Sequence, residues 1–250
     1  MELIDQWRHL RAFDGYSHRV LVGSSRTPRR WGEADRSVRM EQVHGTHVGV
    51  VTDATPDVVL GVDALVTDRP QTQLVVLTAD CVPVSFVAPH RGVIGMAHAG
   101  WRGTAAKIGQ HVLLALRKHF HVLSREVYVH LGPSISPYAY DVTHATNLDE
   151  RRQLFAGFPP DVGLREHHGW VFLDLWGALI WQLRAAGVPR SHIELHGICT
   201  ATDPRNLPSH VREGGQRQGN IVTMLMRSPA GVANTNGEAY GGASSHPSQP

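Results

Sequence analysis

A lone cysteine and a histidine stand at the ends of two neighbouring apolar runs, Leu77-Thr78-Ala79-Asp80-Cys81-Val82-Pro83 and Ala97-His98-Ala99-Gly100-Trp101-Arg102-Gly103. A soft thiolate and an imidazole brought together at adjacent strand ends are ligands suited to zinc. His44, in Gln42-Val43-His44-Gly45, is a third candidate upstream. If the three meet, one tetrahedral position stays open, the pattern of a catalytic rather than a structural zinc. Such a metal binds a water, a phosphate oxygen or a hydroxyl and draws the pKa of bound water toward neutrality. A lone His or Cys is more often a satisfied polar residue or a small core hydrophobe, so the three candidates depend on one another.

Two further patterns adjoin these residues. Gly100-Trp101-Arg102-Gly103-Thr104 is a glycine-rich turn that feeds a helix. Its backbone N–H groups and the positive end of the dipole suit an anion, and Arg102 adds a planar fork for phosphate or carboxylate. The competing reading is a capped helix with Arg102 paired to a surface acid. Gly132-Pro133-Ser134-Ile135-Ser136-Pro137-Tyr138-Ala139-Tyr140-Asp141-Val142 is a rigid loop after a strand. Tyr140 and Asp141 offer a stacking face and a carboxylate to a planar ligand, or else belong to a fixed structural loop. Asp63, in Val62-Asp63-Ala64-Leu65-Val66-Thr67, reads as a strand-start turn residue rather than a catalytic acid.

The elements that must position these groups are continuous apolar runs, which suggest strands covered on both faces. Strands are predicted over 48–51, 64–67, 74–77, 82–87, 93–97, 127–131, 193–198 and 221–226. A helix is predicted over 104–120, where Ile108, Val112, Leu116 and Phe120 form one apolar stripe. Shorter helices are expected over 148–155 and 175–186, the second with Asp174 as N-cap and Gly187 as its stop. Residues 1–40 are poorly patterned, with strand-like pieces such as Arg19-Val20-Leu21-Val22, and 143–168 are polar and mixed. The pattern predicts an α/β fold with one catalytic domain over residues 1–227. Residues 228–250, rich in Gly, Ser, Asn and Pro, read as a disordered tail.

Composition narrows the partners. At 250 residues, 42% hydrophobic and 18% charged, the chain has material for a core. A formal charge of +2 without a basic run argues against nucleic acid. No segment has the length and apolarity of a membrane span or of a signal-peptide core. Two cysteines, Cys81 and Cys199, are too few for a disulfide framework. A cytoplasmic, non-membrane protein is the expectation. The sequence sets no oligomeric state.

The segments 42–45, 63–67, 78–83, 98–103 and 132–135, in that order and spacing, resemble the signatures of the YfiH/YlmD-like family. These are the laccase-domain or polyphenol-oxidase-like proteins, now regarded as purine nucleoside phosphorylases. A weaker match continues through Leu173-Asp174-Leu175-Trp176 and Cys199-Thr200. The resemblance implies a single α/β domain with layered mixed sheets, and a zinc held by His44, Cys81 and His98. It implies purine nucleoside and phosphate as substrates: phosphorolysis of adenosine, inosine, guanosine and methylthioadenosine, with adenosine deamination also attributed to the family. Catalytic roles then fall on Cys81, His98 and Arg102, and substrate contacts on Arg102, Tyr140 and Asp141. The departures lie elsewhere. Tyr138-Ala139 replaces paired cysteines, Tyr140-Asp141-Val142 replaces Tyr-Glu-Val, and the C-terminal signature is degraded to Ser209-His210-Val211-Arg212 and Gly219-Asn220. The N-terminal signature has no clear counterpart in residues 1–40.

Three other functions use the same residues. A copper-dependent polyphenol oxidase would need several His-x-His pairs, whereas the chain offers His119-Phe120-His121 and no histidine beside Cys81. A cysteine hydrolase or amidase of peptidoglycan-editing type would use Cys81 as nucleophile and His98 as base. A non-catalytic zinc protein would keep the ligands and lose the substrate loops.

Overall fold

Apolar residues recur so densely in the middle of the chain that several strands must be covered on both sides, and the layering follows from that. The computed structural model describes residues 2–3, 15–23, 34–216 and 219–228. One mixed sheet contains β1 (Glu2–Leu3), β2 (Tyr16–Gly23), β3 (Arg36–Met40), β5 (Val58–Val59), β7 (Thr72–Thr78) and β14 (Asn220–Arg227), in the order β1-β2-β14-β7-β3-β5. A second contains β4 (Val48–Val50), β6 (Ala64–Thr67), β8 (Val82–Ala88), β9 (Val93–Ala99), β10 (Tyr128–Leu131) and β13 (Ile193–Leu195), in the order β13-β10-β8-β9-β6-β4. β11 (Leu164–His167) and β12 (Trp170–Leu173) form a separate hairpin.

The second sheet is the middle layer. One of its faces packs on the first sheet, with Leu65, Val87, Ile94 and Met96 against Val38, Met40, Leu74 and Leu225. Its other face, carrying Val82, Val84, Phe86 and Ala97, packs on helices. The alternation within β8 is the period-2 rule with both faces apolar. The helices are α1 (Trp101–Ala105), α2 (Ile108–Phe120), α3 (Leu148–Phe155) and α4 (Leu175–Ala185). Ile108, Val112 and Leu116 of α2 are buried, as the stripe predicts, and Phe120 is half-buried. The Asp174 side chain caps α4 by accepting from Gly177 N at 2.7 Å.

The structure departs from the predicted elements in several places: the strand expected over 193–198 ends at Leu195, and β5 has no counterpart among the predicted strands. The single helix expected over 104–120 is two helices, broken at Lys107, whose φ is +63°. No Gly or Pro marks the break, because α1 is aligned by the site beneath it and α2 by the sheet. β2 contains the strand-like piece Arg19-Val20-Leu21-Val22, whereas β3 lies in the poorly patterned remainder, where its half-buried face dilutes the alternation. The β11–β12 hairpin turns at His168-Gly169, with φ of +47° and +82°, a left-handed pair that the sequence does not announce with Asn-Gly or Asp-Gly. Of the expected tail, residues 229–250 lie outside the described residues. None of the described helices is long and apolar enough to cross a membrane.

Candidate metal centre

Sheet register brings the chemistry-bearing residues together. β8 and β9 pair with Val82 opposite Ala99, so Cys81, one residue before β8, falls beside Gly100. β6 and β9 pair with Ala64 opposite Ala97, so Asp63, one residue before β6, falls beside His98. His98 N donates to Asp63 O at 2.8 Å, which extends that ladder by one step.

Asp63 is fully buried, and its carboxylate organises the site. It accepts from His98 Nδ1 at 2.8 Å and from the backbone N–H groups of Val43, His44 and Gly45 at 3.1, 2.9 and 2.7 Å. One carboxylate therefore orients one imidazole and folds the loop that carries the other. In that loop Gln42 and His44 have φ of +66° and +62°. The Gln42 side chain meets β7 like a strand neighbour, donating to Leu77 O at 2.6 Å and accepting from Leu77 N at 2.9 Å.

The Cys81 turn is fixed from the other side. Asp80, at φ +86°, accepts from Thr200 Oγ1 at 2.5 Å and from Val211 N at 2.7 Å, and its carbonyl accepts from Ile135 N at 3.0 Å. The ligating atoms of His44, Cys81 and His98 then lie within 4.8 Å of one another. The His44 and His98 rings meet edge to face at 4.7 Å between centroids. Because Asp63 takes His98 Nδ1, Nε2 is the nitrogen left for a ligand.

Gly100 and Gly103 make room for this cluster. A Cβ on Gly100 would stand 3.0 Å from His44 Cδ2 and 3.2 Å from Cys81 Sγ, and one on Gly103 would stand 2.9 Å from Gly45 O. The donor set of two imidazoles and one thiol, a carboxylate behind one imidazole, and a glycine wall fit a zinc ion. Burial opposes the Cys81 thiolate, but the His98 charge and hydrogen bonds from His44 and His98 outweigh it and bring the thiol down to about 6. Burial likewise opposes the His98 cation, but the Cys81 charge and Asp63 outweigh it and push His98 up to about 9. Without a metal the pair rests as thiolate and imidazolium, and a metal would take the place of the His98 Nε2 proton. Cys81 and Cys199 are free thiols, and Cys199 Sγ accepts from Ser136 N at 3.3 Å.

The other residues singled out by sequence lie around this centre. Arg102 is exposed, and its fork holds Glu150 of α3 through Nε at 3.1 Å and Nη2 at 3.0 Å. Tyr140 is half-buried. Burial pushes its hydroxyl up, the Arg151 charge and hydrogen bond oppose this, and the Cys81 and Asp80 charges add to it. The exposed Asp141 carboxylate turns back onto Thr143, accepting from N at 2.8 Å and Oγ1 at 2.6 Å. Sequence reasoning missed Asp63 as the residue behind His98. The acid at the strand start was visible, but the register that sets it opposite His98 was not. It also missed Arg151, whose only trace in the sequence is the four-residue spacing from Asn147.

Residues 17–228 match the family described as multi-copper polyphenol oxidoreductase laccase. A purine nucleoside phosphorylase, YlmD, of Geobacillus stearothermophilus is 38% identical over 189 residues, covering 72% of this chain and 69% of that protein. A purine nucleoside phosphorylase of Bacteroides thetaiotaomicron is 35% identical over 194 residues, covering 74% and 71%. The crystal structure of YlmD from Geobacillus stearothermophilus superposes with a TM-score of 0.73 at 29% identity, covering 87% of this chain and 93% of that one. That of the hypothetical protein YfiH of Bacillus licheniformis gives 0.70 at 27% identity, covering 77% and 74%.

Proposed function

The chain belongs to the laccase-domain family whose relatives include YlmD and YfiH, and from that premise we propose that it is a zinc-dependent purine nucleoside phosphorylase. The observation that carries this reading is the convergence of His44, Cys81 and His98 beside Gly100. Its proposed substrates are adenosine, inosine, guanosine or methylthioadenosine with phosphate, and adenosine deamination is a proposed second activity. In phosphorolysis a phosphate oxygen bonds to the anomeric carbon while the bond from that carbon to the purine nitrogen breaks. The purine leaves with the electron pair and takes up a proton.

His44, Cys81 and His98 would hold the zinc. When bound, it supplies Lewis acidity toward a phosphate or ribose oxygen. Asp63 fixes the tautomer of His98 and the shape of the 43–45 loop, so the ligands are set before substrate arrives. Tyr140 would offer an aromatic face to the purine, and Asp141 a carboxylate once it leaves Thr143. Arg102, with its fork on Glu150, ties α1 to α3 and closes the outer edge. Orientation of two reactants is the part of the barrier that such a scaffold lowers. A thiol site of this kind belongs in a reducing compartment, and the cytoplasm is the proposed location.

The test is to incubate zinc-loaded protein with each nucleoside, with and without phosphate. Phosphate-dependent release of free purine and sugar phosphate is the expected result, and its absence for all four nucleosides sinks the reading. The family description favours copper and a phenol substrate as a second reading; stoichiometric copper in the purified protein, with phenol oxidation, would favour it. The depressed Cys81 thiol also suits a nucleophile. A thiol-directed reagent separates the roles: a zinc-held thiolate is protected and reacts only after chelation, whereas a nucleophilic Cys81 reacts without it.

A further inference from the structure

Trp101 carries two guanidinium groups in opposite circumstances. Arg102 Cζ lies 4.1 Å and Arg151 Cζ 4.5 Å from the ring centroid. Arg102 is exposed and closed by Glu150. Arg151 is only 8% exposed, and its Nε donates to Asn147 Oδ1 at 2.9 Å. Its guanidinium also stands 5.4 Å from the Tyr140 ring centroid. Arg151 Nη1 is buried and meets no hydrogen-bond partner, and no carboxylate among the described residues pairs with it.

A buried cation without a counter-charge is costly, and a guanidinium cannot relieve the cost by losing its proton. Structures tolerate such a group where a water or an anion completes it. The place favours an anion. Trp101 directly follows Gly100, whose missing side chain borders His44 and Cys81. Tyr140, on the other flank, stands with its ring 5.4 Å from the Arg151 guanidinium, and that cation acts on its hydroxyl. Arg151 therefore packs on Trp101, the residue that follows the Gly100 wall of the metal centre, and is braced by two aromatic rings and Asn147. Guanidinium geometry matches the paired oxygens of phosphate.

We propose that Arg151, backed by Trp101 and held by Asn147, is the phosphate-binding residue of this site. The assignment rests on the phosphorylase reading for the use of that phosphate, but not for its binding. Arg102 and Arg151 share one ring, yet Arg102 already has its acid and Arg151 awaits one.

Calorimetric titration of the zinc-loaded full chain with inorganic phosphate tests this. Arg151→Gln should keep its zinc and weaken phosphate binding about ten- to hundred-fold. Asn147→Ala, which only releases Nε, should weaken it about two- to tenfold. Folding is checked by circular dichroism. Should Arg151→Gln not fold, Asn147→Ala decides: an unchanged phosphate affinity overturns the assignment. A folded Arg151→Gln that binds phosphate like the parent also overturns it, as does a parent that binds none. Failure of the phosphorylase reading looks different: phosphate then binds through Arg151 while no nucleoside is cleaved. If nucleosides are cleaved and Arg151→Gln leaves the phosphate KM unchanged, the phosphorylase reading stands and Arg151 loses its role.

Discussion

The strand ends that carry Asp63, Cys81 and His98 and the outer shell formed by the 132–142 loop and α3 meet at one centre, but they are specified differently. The strand-end half is set by ladder register: Ala64 opposite Ala97 and Val82 opposite Ala99 fix where the next residues fall. A slip of one residue would turn every side chain of a strand to the other face, and with both faces buried such a slip is strongly disfavoured. The shell is set by side-chain bonds across loops, such as Thr200 to Asp80, Arg151 to Asn147 and Arg102 to Glu150. Shell bonds can be exchanged one at a time without moving a strand. The departures at 138–141 lie in this shell, whereas Val211 N bonds Asp80 beside Cys81 and Asn220 opens β14 opposite Gly23.

The largest effect should come from the ladder-set half. Cys81→Ser keeps the shape of the turn but replaces the thiolate with a weak ligand. We expect zinc to fall from stoichiometric to trace, and turnover to fall at least about a hundred-fold, at or beyond the upper end of what losing an outer partner costs. Metal analysis of the purified variant checks this. Full zinc content would mean that the three residues do not form the centre.

Asp63→Asn should come next. The amide keeps one oxygen for Val43 N and Gly45 N, but its NH2 then faces His44 N and His98 Nδ1, which lose their acceptor and its charge. Zinc affinity should drop about ten- to hundred-fold, while the sheet, held by its ladders, stays folded. A competition titration against a chromogenic chelator measures it. An unchanged affinity would reduce Asp63 to a turn residue, which is how it reads from sequence.

That misreading shows where legibility ends. Cys81 and His98 were visible because an apolar run that stops at a reactive residue is a local pattern. The middle-layer strands were visible for the same reason, since two covered faces leave an unbroken apolar run. Asp63 was visible as an acid at a strand start, but its partner lies 35 residues away across a ladder. The Lys107 break was not legible, because the conflict between the axes of α1 and α2 exists only once both are docked. Arg151 was hidden for a related reason: on a polar helix it looks like any solvated arginine, and only docking of α3 against Trp101 buries its charge.

Gly100→Ala probes the seam between the two halves. The added methyl would sit 3.0 Å from His44 Cδ2 and 3.2 Å from Cys81 Sγ, closer than ordinary contact. Overpacking of this kind costs about 1–3 kcal/mol. The strain falls on a ligand carried by a loop, so it should emerge mainly as weaker zinc affinity and less as a lower melting temperature of the metal-free protein. Equal losses in both measurements would mean that the 43–45 loop is as rigid as the strands.

The smallest effect is expected from Arg102→Ala, and it is the sharpest test of the comparison within the shell. Arg102 and Glu150 are both substantially exposed, at 48% and 43% of their side-chain surface. An exposed pair of this kind contributes about 0.2–1 kcal/mol. Removing the guanidinium should therefore lower stability slightly and leave zinc content intact. The phosphate KM should stay within about threefold of the parent, because the guanidinium with an unpartnered buried N–H is that of Arg151 and not of Arg102. A rise in phosphate KM as large as that of Arg151→Gln would mean that Arg102 leaves Glu150 when substrate binds. The helix-start fork read from the sequence would then be the working phosphate contact, and the shell would be more mobile than its bonds imply.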